Sequence, residues 1–180
     1  MKILYLHQYF NTPAMSGGTR SYEMARRLVE AGHQVALITS ERSEQHADHG
    51  WRVTEEAGIQ VHWLSVPYSN QMSFPQRIRA FFRFAWRAAW RAGSIPADVV
   101  FATSTPLTII IPGLAAKLWR RIPLVFEVRD LWPELPIAVG ALRNPVVIGA
   151  ARLLEWLAYH ASAHIVALSP GMAEGVMRRG

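Results

Sequence analysis

Two short stretches of the chain bring together residue types suited to binding an anion. The first is His7-Gln8-Tyr9-Phe10-Asn11-Thr12-Pro13-Ala14-Met15-Ser16-Gly17-Gly18-Thr19-Arg20. Paired glycines let the backbone approach a ligand closely, and free N–H groups at a helix start favour phosphate. Arg20 adds a guanidinium able to make a charge-assisted contact with the same group, or simply a solvated first-turn cation. The spacing is not the dinucleotide fingerprint G-x-G-x-x-G, and no Gly-Lys-Ser/Thr makes it a P-loop. An ordinary turn is the plainer reading of Gly17-Gly18 taken alone. The second stretch is Arg129-Asp130-Leu131-Trp132-Pro133-Glu134. Arg129 is suited to phosphate charge and Asp130 to holding a hydroxyl, with a mutual salt bridge or a cap before Pro133 as the structural alternative. Glu134 is a weaker candidate of the same kind. His7 closes the first apolar run and is the histidine best placed for a cleft. Ser104 and Thr105 precede Pro106 and read mainly as helix capping.

The strongest physical signal is different in kind. From Gln76 to Arg91 the chain reads QRIRAFFRFAWRAAWR, with no acidic residue. Arg79, Arg83, Arg87 and Arg91 recur every four residues, forming one slowly drifting stripe on a helix, and Arg77 extends its edge. Ile78, Phe81, Phe82, Ala85 and Ala89 are expected on the opposite, core-facing side. Trp86 and Trp90 fall beside the basic face. Guanidinium suits lipid phosphate and indole suits the headgroup zone, so this helix reads as a contact with an anionic membrane surface. Nothing else in the chain supports nucleic acid as the partner.

The elements that position these residues alternate. Apolar runs at Lys2–Leu6, Val35–Thr39, Ile59–Val66, Asp98–Thr103, Leu124–Val128 and His164–Leu168 predict strands. Helical patterns lie between them at Gly18–Ala31, Gln76–Ala92, Pro106–Trp119 and Pro145–Ala161, with another at Pro170–Arg179 opened by Ser169. Mostly apolar strands separated by helices indicate a parallel sheet covered on both faces, a doubly wound α/β, Rossmann-like domain. Such sheets bind ligands at the carboxyl ends of their strands. Both anion-suited stretches begin at those ends.

Composition narrows the classes. The 180 residues suit one domain, and 51% are hydrophobic, enough for a core. Cysteine is absent, which excludes disulfides and thiolate metal sites. The histidines have no metal-ligand spacing; His46 and His49 are near each other but in a polar connection, so neither metal nor cofactor is expected. The formal charge of +6 favours a polyanionic partner. The N-terminal apolar run is too short for a signal peptide, and no stretch reaches the roughly 18 apolar residues of a spanning helix. A cytoplasmic protein is expected, peripheral on the inner face of the membrane.

Several segments resemble retaining glycosyltransferases of family four. They are LHQYF at 6–10, GGTRSYE at 17–23, AGHQV at 31–35, ATSTPL at 102–107 and FEVRDLWPE at 126–134. The WbuB-type group of polysaccharide-building enzymes is most similar. The resemblance spans essentially the whole chain and implies half of a GT-B architecture, residues 1–180 being the N-terminal, acceptor-side domain. A C-terminal donor-binding domain is expected beyond it, since the chain stops at a helix. The resemblance also implies a nucleotide-sugar donor facing Gly17, Gly18 and Arg20, a lipid-linked acceptor, and transfer with retention. Many relatives carry His-Asp where this chain has Arg129-Asp130, which removes an imidazole from that position. Glu127 and Glu134 match the Glu-x7-Glu spacing of donor domains, but they lie in the wrong half and are read as coincidence. A non-catalytic nucleotide- or membrane-binding module is the alternative.

Overall fold

The computed structural model describes residues 1–42, 50–69, 71–138, 140 and 142–179; His46 and His49 lie outside them. The strands are β1 Lys2–Leu6, β2 Gln34–Glu41, β3 Trp51–Glu56, β4 Ile59–Ser65, β5 Val99–Thr103, β6 Leu124–Val128 and β7 His164–Ala167. The helices are α1 Arg20–Glu30, α2 Phe74–Ser94, α3 Ile110–Arg120, α4 Glu134–Ala138, α5 Pro145–Ala161 and α6 Pro170–Met177. A 3-10 turn, Leu107–Ile109, leads into α3. The strands form one seven-stranded sheet in the order β3-β4-β2-β1-β5-β6-β7. Every pairing is parallel except β3 with β4. This is the expected doubly wound, Rossmann-like α/β domain.

The alternation of strand side chains divides the core in two. Leu4 and Leu6 of β1 pack with Phe84, Ala88 and Ala92 of α2 and with Ala116 and Ala158 of α3 and α5. Ile3 and Tyr5, on the other face, pack with Ala25 of α1, Leu37 and Val61. Helices α2, α3 and α5 therefore share one face of the sheet and α1 takes the other. Strand order reverses between β1 and β5: the chain first builds towards β4, then α2 carries it back to β5.

Two expectations are corrected. Strand β3 was not expected, because Trp51–Glu56 is an edge strand with a half-exposed, polar pattern rather than an apolar run. It is read by its pairing, with Arg52 opposite Trp63 and its guanidinium 5.2 Å from that ring centroid. The second correction is the phase of α2. The helix starts with Gln76 Oε1 accepting from Ser73 N at 2.8 Å, and its buried side is Ala80, Phe84, Ala85, Ala88, Ala89 and Ala92. Alanines let α2 lie close against α3 and the sheet, and Phe84 supplies the bulk. Phe82, expected in the core, is 48% exposed and shares its side of the helix with Trp86 and Trp90.

The phase gives a direct test. Phe84→Ala is expected to cost about 3 kcal/mol or more of stability, as a cavity in a packed core does, while Phe82→Ala stays within about 0.5 kcal/mol. Urea unfolding of both variants checks it; equal losses would mean the helix is rotated from this arrangement.

Candidate functional site

Reversal of strand order opens a crevice where β1 and β5 diverge, and the segments after β1, β5 and β6 converge there. They deliver His7, Ser104-Thr105 and Arg129-Asp130, so the structure brings together residues up to 123 positions apart in sequence. Backbone and side chain tie them in place. Ser104 N donates to Glu127 O, and Arg129 N donates to Ser104 Oγ at 2.8 Å. Thr105 Oγ1 donates to Asp130 Oδ2 at 2.8 Å. Thr105 holds φ at 102°, a region β-branched residues rarely enter, which marks a locally strained site. Ser104 and Thr105 are thus not the caps expected of them; no side chain caps the turn after Pro106. They position Arg129 and Asp130 instead. A shallow depression of about 420 Å³ is lined here by Arg129, Asp130, Leu131, Glu134, Ala138 and Met172.

His7 is buried, and Arg129 Nη1 lies 3.3 Å from its Nε2. A guanidinium can only donate, so Nε2 accepts and the ring is the neutral Nδ1–H form. Burial first, and then the positive charge of Arg129, push its pKa down to about 3. His7 therefore orients Arg129, and its Nε2 lone pair is already engaged by that guanidinium. Its Nδ1 has no partner among the described residues. Asp130 is half-exposed and carries the carboxylate of the depression. Glu134 is less free: it pairs with Arg179, which also bonds Glu155 at 2.8 Å.

Below the glycine pair lies a second cluster. Glu127, fully buried at the end of β6, accepts from Thr103 Oγ1 and from Arg20 Nη1 at 2.9 Å. Its other oxygen lies 2.7 Å from Arg20 Nη2, an ionic contact without hydrogen-bond alignment. The carboxylate raises the Arg20 pKa further. Arg20, expected to meet phosphate, is thus engaged by Glu127 through two nitrogens, although 44% of its side chain stays exposed. Gly17 and Gly18 are exposed, as an anion site requires. Gly17 sits at φ 126°, and a Cβ there would meet Asn11 Nδ2 at 2.6 Å. Asn11 itself donates to Gly18 O at 3.3 Å and accepts from Arg42 at 2.5 Å. Thr19, at the N-cap, makes no side-chain bond to the first turn of α1, which leaves those N–H groups unsatisfied by any cap.

Sequence reasoning missed Gln8, Asn11 and Arg42. Gln8 is 1% exposed, yet both its amide atoms lack a partner among the described residues. Tyr9 lies under Arg42, its ring 5.7 Å from the guanidinium carbon, and packs with Tyr68 and Phe81. The available signal was adjacency to the glycine pair; the partners come from distant strands.

The arginine stripe divides in two. Arg79 and Arg83 are exposed, and among the described residues no carboxylate pairs with them. Arg91 turns to the sheet edge: its Nε and Nη2 lie 3.2 and 3.0 Å from His62 Nδ1, and its guanidinium is 5.7 Å from the Trp51 ring centroid. Arg91 is therefore removed from the expected membrane set. Arg87 is half-buried near Gly50, and Arg77 is half-buried with Nε donating to Met72 O at 3.0 Å. Trp86 and Trp90 are 65% and 61% exposed. Trp90 continues onto Trp119 of α3, with ring centroids 5.2 Å apart. Trp119 lies where a Cβ on Gly93 would stand, 2.0 Å from its ring. Leu118 and Trp119, which the sequence did not single out, extend the exposed apolar area to α3. No helix among the described residues is long and apolar enough to cross a membrane, and none of their side chains cluster as a metal site.

Comparison with known proteins bears on the family and the fold. Residues 17–180 match the family model described as glycosyl transferase 4-like domain. No curated protein matches the chain. Among solved structures, one from E. coli described as trehalose-6-phosphate bound with UDP-2-fluoro glucose superposes with a TM-score of 0.66 at 11% identity, over 99% of this chain and 42% of that one. Sucrose-phosphate synthase from Thermosynechococcus elongatus gives 0.64 at 11% identity, over 98% of this chain and 44% of that one. These likenesses are of fold, and the chain spans less than half the length of either protein.

The buried histidines predict the response to acid. His62, whose Nδ1 accepts from Arg91, has its pKa lowered to about 4 by burial and then by that arginine. Unfolded histidines titrate near about 6.5. Between that value and the lowered ones, the unfolded chain binds protons that the native chain refuses. Stability is full above about pH 6.5 and is lost as pH falls, by up to about 1.4 kcal/mol per pH unit for each histidine. Thermal melts from pH 7.5 to 5 are expected to fall, and His7→Asn with His62→Gln to flatten the slope. A slope unchanged in the double variant would show that other groups control it.

Proposed function

The chain belongs to the glycosyl transferase 4-like domain family, and we propose on that basis that it forms the acceptor-side half of a retaining GT-B enzyme, its donor site completed by a second, C-terminal Rossmann-like domain. In this reading the enzyme moves a sugar from a nucleotide-sugar to a lipid-linked acceptor at the inner face of the cell membrane, in surface polysaccharide synthesis of the WbuB type. The reaction needs no metal or cofactor from this half. The acceptor hydroxyl bonds Asp130, and the donor diphosphate faces the N–H groups at Gly17-Gly18 with Arg129 as the nearby cation. Arg20 serves this loop indirectly, through Glu127. Departing phosphate takes the acceptor's proton, which leaves Asp130 an orienting role and needs no imidazole. A neutral His7 behind Arg129 is consistent with that.

The observation that carries the membrane part is the exposed row of Arg79, Arg83, Trp86 and Trp90, continued by Trp119, on the helices covering one face of the sheet. Exposed indoles in such number are unusual on a surface meeting only water. Basic groups near an anionic bilayer contribute about 1 kcal/mol each, screened by salt, and tryptophans add a salt-resistant share.

Co-sedimentation with anionic and neutral vesicles tests it. Binding to anionic vesicles is expected at low salt, weakening as salt rises, with a loss of at least tenfold for Arg79→Glu with Arg83→Glu and little change for Arg91→Gln. Indifference to anionic vesicles at low salt would remove the membrane from the reading. For the chemistry, Asp130→Asn in the enzyme that carries this domain is expected to lower turnover by about 10²-fold through lost positioning, with the melt unchanged; undiminished turnover would leave Asp130 a purely structural partner of Thr105.

A further inference from the structure

A pocket of about 80 Å³ lies between α2, α5 and the turn after β5, lined by Ile78, Phe81, Leu107, Trp132, Val147 and Leu154 among others. Its walls are hydrocarbon and ring surface. Among the described residues, Thr108 Oγ1 is a buried polar side-chain atom of this lining without a hydrogen-bond partner. A polar occupant would lose its hydrogen bonds to water and regain almost none, so the pocket selects an apolar one. Close-packed interiors leave few such voids.

Its position says what that occupant is. Part of the lining adjoins the candidate site in sequence: Pro106 and Leu107 follow Thr105, Trp132 stands two residues beyond Asp130, and Thr105 donates to Asp130 at 2.8 Å. The lining also includes Phe82, 48% exposed, on the side of α2 that carries Arg79, Arg83, Trp86 and Trp90. One helix thus presents cations and indoles outward and walls an apolar slot that leads towards the carboxylate. The complementary molecule has a hydrocarbon chain and an anionic group at its end.

We propose that this pocket receives the hydrocarbon segment adjoining the phosphate of the lipid-linked acceptor, so that the chain passes from the bilayer beside Phe82 and its polar end emerges at Thr105 and Asp130. This rests on the glycosyl-transfer reading above and adds the subsite that reads the lipid. The membrane face brings the domain to the bilayer, and the slot then measures how far the acceptor's sugar stands from it. Phosphate charge would lie on the Arg129 side, where the neutral ring of His7 orients the guanidinium without cancelling its charge. Fit depends on small residues of α5, since Ala150 and Ala151 leave the space that a larger side chain would fill.

The experiment uses the full protein and calorimetric titration with geranylgeranyl diphosphate, below its micelle concentration, against inorganic pyrophosphate. The prenyl compound is expected to bind at least tenfold tighter than pyrophosphate. Ala151→Phe is expected to abolish that advantage while pyrophosphate binding, the thermal melt and sedimentation with anionic vesicles are unchanged. Should Ala151→Phe not fold, Ala150→Trp narrows the same slot from its exposed rim and is expected to weaken prenyl binding by the same factor. Equal affinity for the two diphosphates, or undiminished prenyl binding in a folded slot variant, would overturn the proposal. The broader reading fails separately: it falls with vesicle binding or with the Asp130→Asn result, neither of which the slot variants alter.

Discussion

A single buried carboxylate organises the edge of the sheet where the candidate site forms. Glu127, next to last in β6, has no exposure and lies between Thr103 of β5 and Arg20 of α1. A carboxylate taken from water without partners would be costly, and removing one member of a buried pair is far worse than never having built it. The requirement acts on three elements together. Thr103 must stay beside Glu127, which sets the β5–β6 register at their carboxyl ends. Arg20 must reach across β1 and β5 to the same group, which places the start of α1. The Gly17-Gly18 loop is the short span left between that anchored arginine and Asn11. Its exposed backbone is therefore held from below by an ion pair and from one side by Arg42 on Asn11.

The same physics sorts several arginines of the domain. Arginine cannot lose its proton, so each one is assigned either a carboxylate, a neutral acceptor or solvent. Arg20 takes Glu127, Arg179 takes Glu134 and Glu155, and Arg91 takes the neutral ring of His62. Among the described residues the Arg129 guanidinium has only the neutral His7, which directs it without cancelling its charge. A positive charge beside an open depression, with no ion pair to it among the described residues, is the arrangement an anionic substrate group would complete.

Much of this was legible in the sequence, and the failures have physical causes. Apolar strands between helical patterns gave the parallel sheet because burial on both faces writes itself as continuous hydrophobic runs. Strand β3 was hidden because an antiparallel edge strand with one wet face has no such run. Asp130 and Arg129 could be placed at a strand end, but their partners could not: Thr105, Ser104 and His7 come from other strands. The reading of Ser104-Thr105 as caps failed because Pro106 fits the start of a helix whatever precedes it. Arg20 could be read on local grounds as meeting phosphate or solvent, but its carboxylate partner, 107 residues away, could not be seen.

The arginine helix shows how a small angle decides a function. A step of four residues turns a helix about 400°, so the stripe drifts about 40° at each arginine. Over three steps the drift reaches about 120°, enough to carry Arg91 from the face of Arg79 to the sheet edge, where His62 and Trp51 receive it. Residues spaced by three and four alternately do not drift in this way, and Arg79, Phe82, Arg83, Trp86 and Trp90 keep to one side. What reads as a uniform basic stripe is thus two structures in sequence. Its first half faces outward with aromatic neighbours, and its last arginine helps neutral His62 close the core. The alanines behind them let one helix serve both, because a thin buried side lets α2 lie against α3 while its large side chains remain free for the other surface.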